Sequence, residues 1–133
     1  MSFSADEQDV PYVIAEVRAC FEAYEQAFMR NDVPALLGFF WADERLTRYG
    51  IADKQLGYAA QVAYREATPT PNFTRRLENL RIHSFGPDLA VALVEFVRSD
   101  TALRGFQSQT WARLPEGWRI VSAHVSMIEW PAT

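Results

Sequence analysis

Tyr24, Arg48, Glu95, Ser108, His124 and Ser126 are residue types that could act together on a small molecule, if the fold brings them to one place. A phenol can pass a proton, and a guanidinium fork can hold a carboxylate at two points. A carboxylate or an imidazole can orient water or take up a proton, and two hydroxyls can bond whatever lies between them. His124, Ser126 and Ser122 follow Trp118 and Ile120 by period-2 alternation, which predicts an inward face running from apolar to polar. That pattern suits a sheet that covers a core and then opens into a polar pocket. Glu95 shares its strand phase with Val91, Leu93 and Val97, where a carboxylate is costly unless paired. Arg48, in Thr47-Arg-Tyr-Gly50, is either a rim salt bridge or a fork for a substrate carboxylate. Trp41 joins the substrate-binding set from the end of a short helix. Arg65, in Tyr64-Arg-Glu66, is assigned to the solvent side.

These side chains need elements to position them. Asp9 caps a first helix with Pro11 in its first turn, and Val10, Val13, Ile14, Val17, Phe21, Tyr24 and Phe28 give it an apolar stripe. Tyr24 therefore points inward, and its hydroxyl needs a partner. Asn31-Asp32 ends that helix and caps a second, with Pro34 near its start, running to about Trp41. A short strand over Leu46–Gly50 and a third helix from Gly57 to about Ala67 follow. Strands over Asn72–Phe85, Leu89–Ser99, Arg104–Leu114 and Trp118–Ile128 complete the chain, separated by Gly86-Pro87-Asp88, Asp100–Leu103 and Pro115–Gly117. Pairing Leu114 with Trp118 sets Ser108 across from His124 and Thr110 across from Ser122. Pairing Ser99 with Arg104 sets Glu95 beside Ser108. Gln107, Gln109, Trp111, Val121, Ala123 and Val125 then occupy the convex face, which is predicted to form a homodimer interface.

The 133 residues make one domain with a core over about 10–128, and at 49% apolar and 14% aromatic the chain is globular. A net charge of −4 with no basic run argues against nucleic acid or an anionic membrane as partner. The opening Met1–Glu7 is acidic where a secretion signal would be basic and then apolar, and a single cysteine, Cys20, fits a reducing cytoplasm. With two histidines, His83 and His124, and no spaced Cys or acidic cluster, no metal is expected. A glycine-rich phosphate loop and a Gly-x-Ser-x-Gly elbow are both missing, and no cofactor is expected.

Helices first and an antiparallel meander afterwards is an α+β layout, with the helices packed on one side of a curved sheet. This order resembles the cone-shaped nuclear-transport-factor-two-like (SnoaL-like, cystatin-like) fold. Phe21-Glu-Ala-Tyr-Glu25, Asn31-Asp-Val33, Phe40-Trp41, Thr47-Arg-Tyr-Gly50, Gly57-Tyr58 with Tyr64-Arg65, Ser108-Gln-Thr-Trp111 and Gly117-Trp-Arg-Ile-Val121 together resemble the AtzH-like family. That family is also known as the oxalurate-catabolism HpxZ type. The resemblance implies catabolism of small nitrogenous compounds, in the manner of the conversion of 1,3-dicarboxyurea to allophanate beside a larger amidase. It also implies functional roles for the tyrosine of the first helix, Tyr24, and the arginine of the Arg-Tyr-Gly strand, Arg48. The chain departs from the usual pattern at Gln61-Val-Ala-Tyr64, where Ile-x-x-Phe is typical, and at Thr101-Ala-Leu103.

The expectation is thus a cytoplasmic hydrolase or decarboxylating amidohydrolase for a small anionic nitrogenous substrate. Tyr24 and Arg48 are its catalytic residues, and Trp41, Glu95, Ser108, His124 and Ser126 bind substrate. Two alternatives stand beside it. One is a proton-transfer isomerase, cyclase or dehydratase using Tyr24 with Glu95 or His124; the other is a non-catalytic oligomerisation domain.

Overall fold

The computed structural model of the protein describes residues 4–131. Met1, Ser2 and Phe3, at the head of the stretch read against a leader, lie outside those residues. Helix α1 spans Pro11–Arg30 and buries Val13, Val17, Phe21, Tyr24 and Ala27, the face its three-four spacing dictates. Asp9 does not cap it. Its backbone is left-handed (φ 54°), which turns the carboxylate toward the sheet, where it accepts from the Ser84 amide at 3.1 Å. Val10 takes the cap position, and its own amide donates to Ser84 Oγ at 2.9 Å. Asn31 ends α1 in the left-handed region that Asn tolerates, and Asp32 caps α2 (Val33–Leu37) through the Ala35 amide. Helix α2 stops short of Trp41 because the chain there bonds to a strand edge instead. The Ile120 amide donates to Phe39 O at 2.7 Å and the Trp41 amide to Ile120 O at 3.0 Å.

One six-stranded sheet follows, in the order β2-β1-β6-β5-β4-β3. Strand β1 (Thr47–Tyr49) runs parallel to β6 and antiparallel to β2 (Lys54–Leu56), a three-residue strand too polar to be read by alternation. Helix α3 (Tyr58–Ala67) leads into the meander β3 (Arg75–Ser84), β4 (Leu89–Arg98), β5 (Arg104–Leu114) and β6 (Gly117–Ile128). Eight of these nine elements follow the predicted order, β2 being the addition; the faces of the sheet do not follow the predicted assignment.

The β5–β6 turn pairs Leu114 with Gly117, not with Trp118. A bulge then leaves Val121 unpaired between Ile120, opposite Trp111, and Ser122, opposite Thr110, which brings Ser108 back across from His124. The pairing is as expected there, yet the extra residue flips the face. Trp118 and Ile120 are buried, and beyond the bulge it is Val125, beside half-buried Ala123, that continues inward while Ser122 and His124 are exposed. On β5 the inward set is Gln107, Gln109 and Trp111, all buried. The predicted dimer face is therefore the wall of the chain's own interior, with Trp111 among its most buried side chains. The β4–β5 register differs by two residues from the expected one, pairing Val97 with Arg104 and setting Glu95 opposite Phe106. The two-residue shift keeps Glu95 on the Ser108 side, which is the outer side.

Candidate active site

Helices α1 and α3 and the inner face of β4, β5 and β6 enclose a cavity of about 320 Å³. Tyr24, Arg48, Tyr64, Arg65, Gln107 and Gln109 line its walls, and the Thr68–Phe73 segment with Arg75 and Arg98 also borders it. Tyr24 is clamped edge-on by Phe39 and Phe40, with ring centroids 6.1 and 5.9 Å away, and its hydroxyl lies toward the Arg65 guanidinium, which it helps to keep protonated. Such clamping fixes the ring while leaving the phenol to the cavity.

Arg48 enters from β1, where its neighbour Ala123 on β6 is also inward. Its Nη1 donates to Gln55 Oε1 at 2.7 Å and to Asp53 Oδ1 at 3.1 Å, and Gln55 Nε2 donates to the same Asp53 oxygen at 2.9 Å. One corner of the fork is fixed, and the rest remains for a ligand. Gly50 makes this possible: a Cβ there would collide with Asp53 Oδ1 and stand 2.8 Å from Arg48 Nη1. The glycine of Arg-Tyr-Gly is thus space for the ion pair of the arginine two residues before it.

Of the four arginines around the cavity, Arg48, Arg75 and Arg98 each pair with a carboxylate, from Asp53, Glu25 and Asp100. Arg65 pairs with none among the described residues. It is only 3% exposed, and its Nε and Nη2 are buried without a hydrogen-bond partner. Its surroundings are aromatic, with Tyr64, Phe40 and Phe28 ring centroids 5.3, 5.7 and 5.8 Å from Cζ. Burial pushes its proton affinity below the ordinary arginine value; Tyr24 opposes that shift and the like charge of Arg48 adds to it. Among the described residues no three His, Cys, Asp or Glu side chains converge as a metal site.

The sequence model of the AtzH-like family matches residues 6–130. The chain belongs to that family. A Pectobacterium atrosepticum protein of unknown function, from the DUF3225 family, is 41% identical, with a TM-score of 0.93 over 96% of this chain and 100% of its own. A cystatin-like fold protein from Burkholderia xenovorans is 44% identical, with a TM-score of 0.90 over 94% of this chain and 98% of its own. At 22% identity an NTF2-like protein of unknown function from Pseudomonas putida shares the fold, with a TM-score of 0.73 over 86% of each chain. No curated protein matches the chain.

In this AtzH-like protein Tyr24, on the inward stripe of α1, and Arg48, on β1, line one cavity. Glu95, Ser108 and Ser126 do not join them, because the Val121 bulge and the β4 phase put them on the outer face. There Glu95 accepts from Arg104 Nε at 2.8 Å and from Asn79, and these bonds hold its carboxyl below the usual range. His124 reaches the cavity edge, but its ring stands edge-on to Tyr49 at 5.8 Å on the outer side. Trp41 stacks under Arg45 (4.7 Å) and lies outside the cavity lining. Arg65 was assigned to solvent and is buried; Gln107 and Gln109 were assigned to the convex face and line the cavity. The legible signal for Arg65 was its spacing: it lies four residues after Gln61, and these two are the fully buried residues of α3. Cys20 is half-buried against the core, and burial raises its thiol above the ordinary value.

No helix among the described residues is long and apolar enough to cross a membrane.

Proposed function

We propose that this AtzH-like protein removes a carboxyl group from a carboxylated urea or related small nitrogenous compound, of the 1,3-dicarboxyurea kind, beside a larger amidase. The observation that carries this reading is the pairing, in one cavity, of the Tyr24 phenol, set beside the Arg65 guanidinium, with a half-anchored guanidinium on Arg48.

The reaction breaks the bond between nitrogen and the carboxyl carbon. The electron pair stays on nitrogen, which needs a proton as the bond opens. Tyr24 Oη supplies that proton and recovers one from solvent after product leaves. Arg48 holds the carboxylate against the phenol with its free N–H groups. The carbon departs as carbon dioxide, or as bicarbonate where water adds to it first. Glu95, on the other side of the sheet, takes no part in either route.

Other observations support a polar, anionic substrate over an apolar one. Four arginines border the cavity, an expensive lining for a steroid-like ligand. An open cavity also speaks for a ligand site over a filled scaffold domain. The test is a panel of carboxylated ureas and oxalurate, with and without an allophanate-degrading amidase, assayed for carbon dioxide and ammonia. The reading predicts carbon dioxide from the carboxylated ureas without the amidase and ammonia only with it. Absence of carbon dioxide from every member of the panel overturns it.

A further inference from the structure

The buried, unpartnered side-chain atoms of the cavity's lining residues are all donors. Arg65 Nε and Nη2 are donors without acceptors, and so is Gln107 Nε2. Gln109 lends its amide oxygen to the Trp111 indole N–H at 3.1 Å, so its amide N–H groups are what remain. These donors, two of them on a guanidinium only 3% exposed, find no acceptor among the described residues. An acceptor-only group complements such donors, and a carboxylate is such a group.

We infer that Arg65, Gln107 and Gln109 form a second carboxylate subsite, distinct from Arg48, so that the cavity takes small dicarboxylates in preference to monocarboxylates. The inference rests on the functional reading above and adds to it the residue that holds the carboxylate retained in the product. Arg48 and Arg65 flank the same ring, with Cζ atoms 4.9 and 5.3 Å from the Tyr64 centroid. Their guanidinium carbons are therefore no further apart than those two distances laid end to end, within reach of one small dicarboxylate. The division of labour follows. Arg65 contacts a charge that persists from bound substrate to product, so it contributes to binding, whereas Tyr24 acts only as the bond breaks.

Calorimetric titration with malonate, succinate and glutarate, against acetate and butyrate, tests the subsite without turnover. The tightest dicarboxylate should bind at least about tenfold better than butyrate, the worth of one added charge-assisted contact. Arg65→Gln should abolish that preference, and Gln107→Met, which keeps Arg65, should weaken dicarboxylate binding several-fold. Equal binding of dicarboxylates and butyrate by the wild type overturns the subsite, as does an undiminished preference in folded Arg65→Gln. Should Arg65→Gln fail to fold, an unchanged preference in Gln107→Met overturns it. In turnover, Arg65→Gln raises KM more than it lowers kcat. A dicarboxylate preference that depends on Arg65, in a protein releasing no carbon dioxide from carboxylated ureas, would leave the subsite standing and remove the proposed reaction.

Discussion

Arg65→Met should make the ligand-free protein more stable. The side chain is 3% exposed, two of its nitrogens have no acceptor, and no carboxylate pairs with it among the described residues. Each buried unsatisfied donor costs ~1–3 kcal/mol, and an unpaired buried charge adds to that. The rings of Tyr64, Phe40 and Phe28 return part of it, at ~0.5–1 kcal/mol for each favourable cation–π contact, and less at their separations of 5.3–5.8 Å. Methionine fills much of the same volume and has no donor to satisfy. The balance favours the variant by about 2 kcal/mol. For a domain of this size that corresponds to a Tm about 6–10 °C higher. The assay is a thermal scan in buffer free of phosphate and carboxylates, since a bound anion stabilises the wild type by mass action. At a hundred times its Kd for the wild type, a dicarboxylate adds about 2.7 kcal/mol to the wild type and should add only about 1.4 kcal/mol to the variant, which holds it through Arg48 alone about tenfold more weakly. A Tm that falls in Arg65→Met in anion-free buffer would refute the reasoning, because it would mean that the guanidinium is satisfied within the chain.

Tyr24→Phe should cut turnover roughly a hundredfold with little change in Tm, because the ring keeps its packing against Phe39 and Phe40; a loss of stability with full specific activity would make it a core tyrosine instead. Arg48→Lys should cost about 1 kcal/mol or more in kcat/KM, since a lysine cannot both bond Asp53 and Gln55 and present a planar fork; wild-type kinetics in Arg48→Ala would remove its role. Hydrogen bonds from Arg104 lower the pKa of Glu78 and Glu95, so the stability these carboxylates lend is present above their ordinary value near 4.5 and is lost as pH falls through the depressed folded values. Arg104→Gln should therefore lower Tm at pH 7 and much less at pH 3, and an equal deficit at both contradicts the assignment. We propose that the homodimer expected from the sequence uses the outer face, where Leu93 and Tyr49 stand exposed in the Ser108–His124 row; light scattering should give a dimer mass that Leu93→Glu reduces to a monomer, and a wild-type monomer removes the dimer.

The helices, the meander and the inward aim of Tyr24 were legible because each rests on a local apolar period, whereas Arg48 was pointed to by its place on a short border strand and by the Arg-Tyr-Gly resemblance. The stripe of α1 cannot face solvent without exposing Val13, Val17 and Phe21. The face of β6 was not legible by counting from Trp118, because one unpaired residue, Val121, reverses every side chain beyond it. The bulge sits where the edge of β6 changes partners, from the Phe39–Trp41 segment at Ile120 to β1 at Ser122. That handover is a tertiary fact with no local sequence mark. A second clue was nonetheless present: after the bulge the apolar residues are Val121, Ala123 and Val125, and the polar ones alternate with them. Arg65 and the glutamines were misplaced for a different reason. Hydrophobic period assigns polar residues to solvent, and a cavity built to receive an anion turns polar residues inward against that rule.

The most direct test is carbon-13 NMR on a carboxyl-labelled carboxylated urea mixed with the purified protein alone. The account predicts that label passes to carbon dioxide and bicarbonate faster than in buffer, one equivalent for each allophanate formed, with the acceleration largely lost in Tyr24→Phe. Label release at the uncatalysed rate, or an acceleration that Tyr24→Phe retains in full, would contradict it.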